Sequence, residues 1–210
     1  MSNIIDISFD QGSIDFHAVK SQTIFPVDAI IAKATEGITY SDANFRTYHD
    51  GAKAVGIPFS AYHFFHGGDE GIAQARHFLS TIDGYEGVNL PGVDCEEDGH
   101  DGVSAQVYLA RLKEFVKCVD ATLNGKRMVI YFDYAFWVNF LGGYDGFSGH
   151  PAWPAAYNND PTLDMTGTGW KVATLWQYSN GSNVPSIPGI DTDVDRSRLV
   201  AGNLNVLRRV

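Results

Sequence analysis

This sequence predicts a single-domain α/β fold, an irregular (β/α) barrel of the TIM type. Short β-like runs alternate with longer helix-compatible segments along most of the chain. Its 210 residues fit one large domain better than two very small ones. The signatures of the rival doubly wound sheet are also missing. The first strand runs into Phe9-Asp10-Gln11-Gly12 instead of a G-x-G-x-x-G turn, and neither a Walker A sequence nor a G-x-S-x-G elbow occurs. Alternation of this kind implies parallel strands joined by crossover helices.

The strand candidates are residues 4–8, 29–35, 59–65, 92–96, 128–132, 152–157 and 174–178, with a last short segment at 193–195. They are rich in Ile, Val and aromatics and bounded by Gly, Pro, Asn or Asp. Residues 42–55 form a helix pattern after a Ser41 cap, stopped by Gly56. A second pattern, 70–82, closes at Asp83-Gly84. The clearest, 104–123, sets Val107, Leu112, Val116, Val119 and Leu123 along one face, with Gly125 beyond its end. A shorter one covers 134–141. After residue 152 the helices thin out.

Composition narrows the function classes. A hydrophobic fraction of 44% with 19% charged residues belongs to a packed domain, not a disordered chain. No apolar run approaches the roughly 18 residues of a membrane span. Residues 1–6 lack a basic start and an apolar signal segment, so action outside a cell is expected to need another release route. Twenty-five acids against fifteen bases give a net charge of −10. That excludes the basic stripe of a nucleic-acid binder and any long-range pull toward anionic polymers. Two cysteines, Cys95 and Cys118, are too few for a disulfide framework and read as reduced thiols. Aromatics at 13% suit a surface that stacks on ring-shaped ligands.

In a barrel, reactive groups gather at the C-terminal ends of the strands. Asp6 falls near the end of the first, Asp94 and Glu96 close the fourth, and Asp195 lies in the last segment. Four carboxylates from distant parts of the chain are thus expected at one mouth. Asp94-Cys95-Glu96 is the informative triplet. Side chains alternate along a strand, so Asp94 and Glu96 share a face while Cys95 turns toward the helices. Two such carboxyls perturb each other's ionisation, one kept protonated near neutral pH and the other charged. Acid-assisted cleavage of a glycosidic bond requires that pair. An exposed acidic loop is the plain alternative, since Glu97 and Asp98 follow directly.

Asp6-Ile7-Ser8-Phe9-Asp10-Gln11-Gly12 with Ile14-Asp15-Phe16 resembles the opening of the glycoside hydrolase family 25 lysozymes, the Chalaropsis-type N-acetylmuramidases. Residues 32–37 (AKATEG) with Tyr40 and Asp42, residues 51–58 (GAKAVGIP) and residues 61–64 (AYHF) match further signatures. Asp94-Cys95-Glu96 stands at the family's D-x-E. Ile130-Tyr131, Trp153, Tyr157, Trp176-Gln177-Tyr178-Ser179 and Val194-Asp195 continue the match in order, over about residues 4–200.

The resemblance implies a single catalytic domain across residues 1–210 that cleaves the β-1,4 bond between N-acetylmuramic acid and N-acetylglucosamine in peptidoglycan. It implies Glu96 as the general acid, Asp94 as its partner, and Asp6 and Asp195 lining the same cleft. Lys33, Tyr40, Tyr62, Tyr131, Trp153, Tyr157 and Gln177 match substrate-lining positions. Lys33, inside an apolar strand, calls for a carboxylate partner in the cleft. Retention with help from the substrate's 2-acetamido group and inversion by water both remain open. No cofactor or metal, no nucleic-acid partner and a monomer are expected, the partner being the glycan strands of the bacterial wall. A phage endolysin, a virion lysin and a bacterial autolysin all fit. A cytoplasmic enzyme released by phage lysis, or a virion-associated one, matches the missing signal segment.

Departures from the family pattern are local. The usual V-D-x-N-x-F reads Val194-Asp195-Arg196-Ser197-Arg198-Leu199, so Asp191 and Asp193 compete with Asp195 for the cleft. Ala156 replaces a frequent His, and no wall-binding module is expected after the barrel. A non-catalytic glycan-binding barrel or virion part is the rival reading. A chitinase is a second, but the positions two and five before Asp94 are Gly92 and Asn89 instead of acids. His49, His63 and His66 read as satisfied histidines, not metal ligands. Residues 191–195 have Arg196 where a calcium loop needs Gly.

Overall fold

The computed structural model describes residues 2–85, 90–157 and 163–202, so Asn89, weighed above against a chitinase, lies outside the described residues. Nine strands form one sheet: β1 (Asn3–Ile7), β2 (Ala29–Glu36), β3 (Tyr40–Ser41), β4 (Phe59–Phe64), β5 (Gly92–Cys95), β6 (Val129–Asp133), β7 (Ala152–Ala155), β8 (Leu175–Ser179) and β9 (Asp195–Leu199). Their order is β1-β9-β8-β7-β6-β5-β4-β2-β3, and an extra β1–β2 pairing closes eight of them into a barrel with β3 as a short flap. The expected barrel is therefore present.

Besides the β3 flap, which is antiparallel to β2, one strand of the barrel itself departs from the parallel rule. β9 runs antiparallel to both neighbours, setting Asp195 opposite Asp6 and Arg198 opposite Trp176. It begins at Asp195, where the 193–195 segment ends, because Asp191 and Asp193 are exposed in the approach loop. No α-helix separates β8 from β9, and none stands among the described residues between β7 and β8. Without a crossover helix the last strand is free to return antiparallel.

The helices are α1 (Phe16–Ser21), α2 (Phe45–Ala54), α3 (Gly71–Ile82), α4 (Ala105–Asp120) and α5 (Tyr134–Asn139). α1 has no counterpart among the expected helices. It is six residues long and buries only Phe16 and Val19, too short to show a period, and its one signal is Asp15, whose side chain accepts from the His17 and Ala18 amides. α2 starts later than its pattern, because Ser41 is paired in β3 and Asp42 instead accepts from the Asn44 and Phe9 amides. α4 is capped by Ser104, which the pattern placed inside the helix, and ends three residues early. Its buried stripe is Tyr108, Leu112, Phe115, Val116 and Val119; Val107 is 38% exposed. The aromatics rotate the buried face away from Val107, which an aliphatic-only count cannot register.

The barrel interior and the helix layer are filled by residues such as Ile4, Ile30, Val93, Ile130 and Phe132. Trp153 and Tyr131 are also buried and meet edge to face, ring centroids 4.8 Å apart. Burial at this level fixes the strand ends on which the polar groups sit.

Candidate active site

Asp94 is in β5 and Glu96 is the first residue beyond it, still extended at φ −130° and ψ 167°. The alternation therefore continues through the strand end, and both carboxyls enter one cleft at the mouth of the barrel. Cys95 turns the other way, buried against the Tyr108 hydroxyl of α4. The cleft holds about 190 Å³ and is lined by Asp6, Ser8, Asp10, Lys33, Tyr62, Phe64, Asp94, Glu96, Tyr131, Trp153, Gln177 and Asp195. All four expected carboxyls thus meet there, and of the three late acids only Asp195 lines the cleft. Pockets for drug-sized ligands usually exceed roughly 300 Å³. This one suits a single ring, and a longer chain must run out over the rim.

Five acids and one base share this space, and the electrostatics follow. Burial, then the Asp195 charge, pushes the Asp6 carboxyl well above its ordinary range. Burial also lifts Asp195, to about 6, while its hydrogen bond with Asp6 pulls in the opposite sense. Two carboxyls facing each other oppose each other's charge, so the two titrate as a pair. Asp94 is raised by burial and then by Glu96, with Lys33 opposing, and its Oδ1 has no hydrogen-bond partner among the described residues. Burial raises Glu96 too, with the neighbouring Tyr131 hydroxyl acting in the opposite sense. A carboxyl raised in this way keeps a proton to deliver.

Gln177 organises one wall. Its Oε1 accepts the Tyr131 hydroxyl at 2.9 Å and the Tyr157 hydroxyl at 2.6 Å, and its Nε2 donates to Asp6 Oδ1 at 2.9 Å. It is 1% exposed, so it orients neighbours more than it meets a ligand. Trp153 donates from Nε1 to Ser197 Oγ at 2.9 Å, tying β7 to β9 across the barrel. Tyr62 lines the cleft from β4. Tyr40 and Tyr157 stand outside the lining as exposed rim aromatics, 39% and 55% accessible.

Lys33 does enter the cleft, but its hydrogen-bonded partner is Glu36, at 2.5 Å, which lies outside the lining; this corrects the expected cleft carboxylate. Residues three apart on a regular strand face opposite ways. Here Lys33 pairs with Tyr62 and Thr35 with His63, leaving Ala34 as an extra residue, and the bulge turns Glu36 to the Lys33 side. His63 is satisfied, bonded to Thr35 and Gln74 and held down at about 3 by burial. Ser8, Asp10 and Phe64 were not singled out by sequence. Asp10 and Ser8 hydrogen-bond each other at 2.9 Å within a capping turn whose only sequence signal is the S-x-x-Q spacing.

A barrel that gathers carboxyls of split protonation around a ring-sized polar cleft has the layout of an acid-catalysed glycoside hydrolase. The particular family follows from comparison. The chain belongs to glycosyl hydrolases family 25, whose family model matches residues 5–187. It is 30% identical over 198 residues to the autolytic lysozyme of Clostridium acetobutylicum, covering 91% of this chain and 54% of that protein. It is 31% identical over 186 residues to the N,O-diacetylmuramidase of Chalaropsis sp, covering 83% and 86% respectively. Among solved structures, the bacterial lysozyme of Streptomyces coelicolor superposes with a TM-score of 0.84 at 29% identity, covering 98% of this chain and 95% of that one. The chain thus spans about half the length of the autolytic lysozyme and nearly all of the other two.

Proposed function

We propose that this protein is a lysozyme of the muramidase class, hydrolysing the β-1,4 bond between N-acetylmuramic acid and N-acetylglucosamine in the bacterial wall. The observation that carries this reading is the meeting of Asp94 and Glu96 at the end of β5, with the Asp6–Asp195 pair in the same cleft. The relatives named lysozyme and N,O-diacetylmuramidase support the substrate class.

In this reading Glu96 is the general acid, giving its proton to the glycosidic oxygen as the bond to the sugar's C1 breaks. Asp94 accepts the N–H of the substrate's 2-acetamido group through its unpartnered oxygen. The acetamido oxygen is thereby aimed at C1, where it forms the new bond as the leaving sugar departs. Water then attacks C1, breaking the bond to the acetamido oxygen and restoring the acetamido group, and passes a proton to Glu96, regenerating the acid. The Asp6–Asp195 pair, oriented by Gln177, faces the positive charge that develops on the ring. Exposed Tyr40 and Tyr157 offer faces for neighbouring sugars.

Glu96→Gln keeps the shape of the cleft and removes the deliverable proton. It is expected to bind wall fragments while turnover drops by about a thousandfold or more. Mass spectrometry of wild-type digests should show muramic acid at the new reducing ends. Glucosamine ends, or undiminished turnover by Glu96→Gln, would reject the assignment.

A further inference from the structure

Lys33 is the only base lining the cleft among the described residues, and it is held from behind by a chain of charges. Its Nζ bonds Glu36 Oε2 at 2.5 Å. Glu36 Oε1 meets His66 Nε2 at 3.0 Å, and His66 Nδ1 meets both Asp101 carboxyl oxygens at 3.0 Å. Asp101 Oδ2 in turn accepts the Gly68 amide at 2.8 Å. Signs alternate along the row from the cleft outward: ammonium, carboxylate, imidazole, carboxylate.

Further contacts hold the His66 and Lys33 ends of the row. Gln74 of α3 brackets His66, accepting its amide at 2.9 Å and donating to its carbonyl at 2.7 Å. The Lys33 ammonium lies over the Phe64 ring at 4.7 Å and the Tyr40 ring at 5.7 Å. Phe64 is the β4 residue paired with Asp94. The cation is therefore seated on the ring next to the strand that carries Asp94.

We propose that Glu36, His66 and Asp101 are positioning residues for the reaction, fixing the Lys33 ammonium beside Asp94 as the counter-charge that lets Asp94 work as a carboxylate among so many acids. This rests on the role given to Asp94 above. Asp94 otherwise faces Glu96, Asp6 and Asp195, all of which oppose its ionisation, while Lys33 favours it. A mobile lysine would supply that charge only part of the time; a lysine hydrogen-bonded to a braced carboxylate supplies it constantly.

The charged and titratable groups around the row are few. Tyr40 of β3, Tyr62 of β4, Asp94 of β5 and Glu96 just beyond it surround Lys33. His66 faces Glu36 of β2, Asp101, His63 of β4, and Asp69 in the turn after β4. Hydrogen bonds to Glu36 and Asp101 outweigh burial and push the His66 imidazole above its ordinary 6.5. Glu36 is drawn down by Lys33 and His66 despite its burial, and Asp101 by the Gly68 amide and His66. All three shifts favour the charged forms of Glu36, His66 and Asp101.

The test is the pH–rate profile, from about pH 4 to about pH 9, on peptide-free glycan strands from bacterial wall. Glu36→Gln is expected to move the acid limb upward by about one pH unit, because Asp94 loses a fixed cation neighbour. His66→Gln and Asp101→Asn should move it the same way by less, with kcat falling more than KM changes. Lys33→Arg should retain the wild-type limb, and Lys33→Met should shift it as far as Glu36→Gln. Superimposable profiles, or rates scaled equally at every pH, would overturn the proposal. Asp101→Asn, at the outer end and compatible with the left-handed φ of 55° there, decides the matter if Glu36→Gln does not fold. Glu96→Gln in the same assay separates the two levels. If it stays active, the catalytic reading and this one fall together; if it is inactive while the Glu36 and Asp101 profiles match wild type, only the charge row falls.

Discussion

At position 195 a carboxyl is kept where its charge is disfavoured, because burial lifts it to about 6 against an ordinary 3.8. A raised acid favours the fold fully below its unfolded value, and that advantage is lost as pH rises through about 6. Asp195→Asn removes the penalty. Thermal unfolding at pH 7 should show the variant more stable by about 1–2 kcal/mol, or several degrees, while its turnover collapses. The gain should shrink toward zero below about pH 4, where the acid is neutral in both states. A variant that melts lower at pH 7 would mean the Asp6 contact outweighs burial. The Asp94-x-Glu96 spacing was readable because alternation needs only a strand. The choice of Asp195 over Asp191 and Asp193 was not, because it depends on where β9 starts pairing. The Lys33–Glu36 contact was equally hidden, since no residue type announces a bulge.

Among the elements, the segment after β5 positions Glu96 most directly. Gly99 packs so closely there that a Cβ would lie 2.2 Å from the Phe65 carbonyl oxygen. Its own carbonyl accepts the Gly67 amide at 2.7 Å. Gly99→Ala must push the segment off β4, costing about 1–3 kcal/mol. Denaturant unfolding should show that loss, and the rate at full folding should fall as well because Glu96 moves with the segment. An unchanged rate in folded protein would show that Glu96 is held by other contacts. Strands and long helices were legible here because Ile, Val and aromatic runs bounded by breakers are local signals. α1 and the early end of α4 were not, since six residues show no period and aromatics redraw a helix face.

The whole molecule carries ten more negative than positive charges, and five acids line its cleft. An anionic wall repels such a surface at long range. Raising salt from about 0.01 M to about 0.1 M shortens the screening length from roughly 30 Å to roughly 10 Å. The rate on intact anionic wall is expected to rise over that interval, while the rate on small neutral fragments stays flat. A falling rate on wall would indicate a local attraction that outweighs net charge.

Barrel closure has a temporal consequence. β9 supplies Asp195, is the strand that joins β1 to β8, and anchors Trp153 through Ser197. During synthesis, a ribosome that has not yet delivered residues 195–199 holds a polypeptide without Asp195 and with the borders that β1 and β8 present to β9 unpaired. Until β9 is in place the chain is expected to be inert toward the glycan, and a product released before that point should be prone to stick to its own kind.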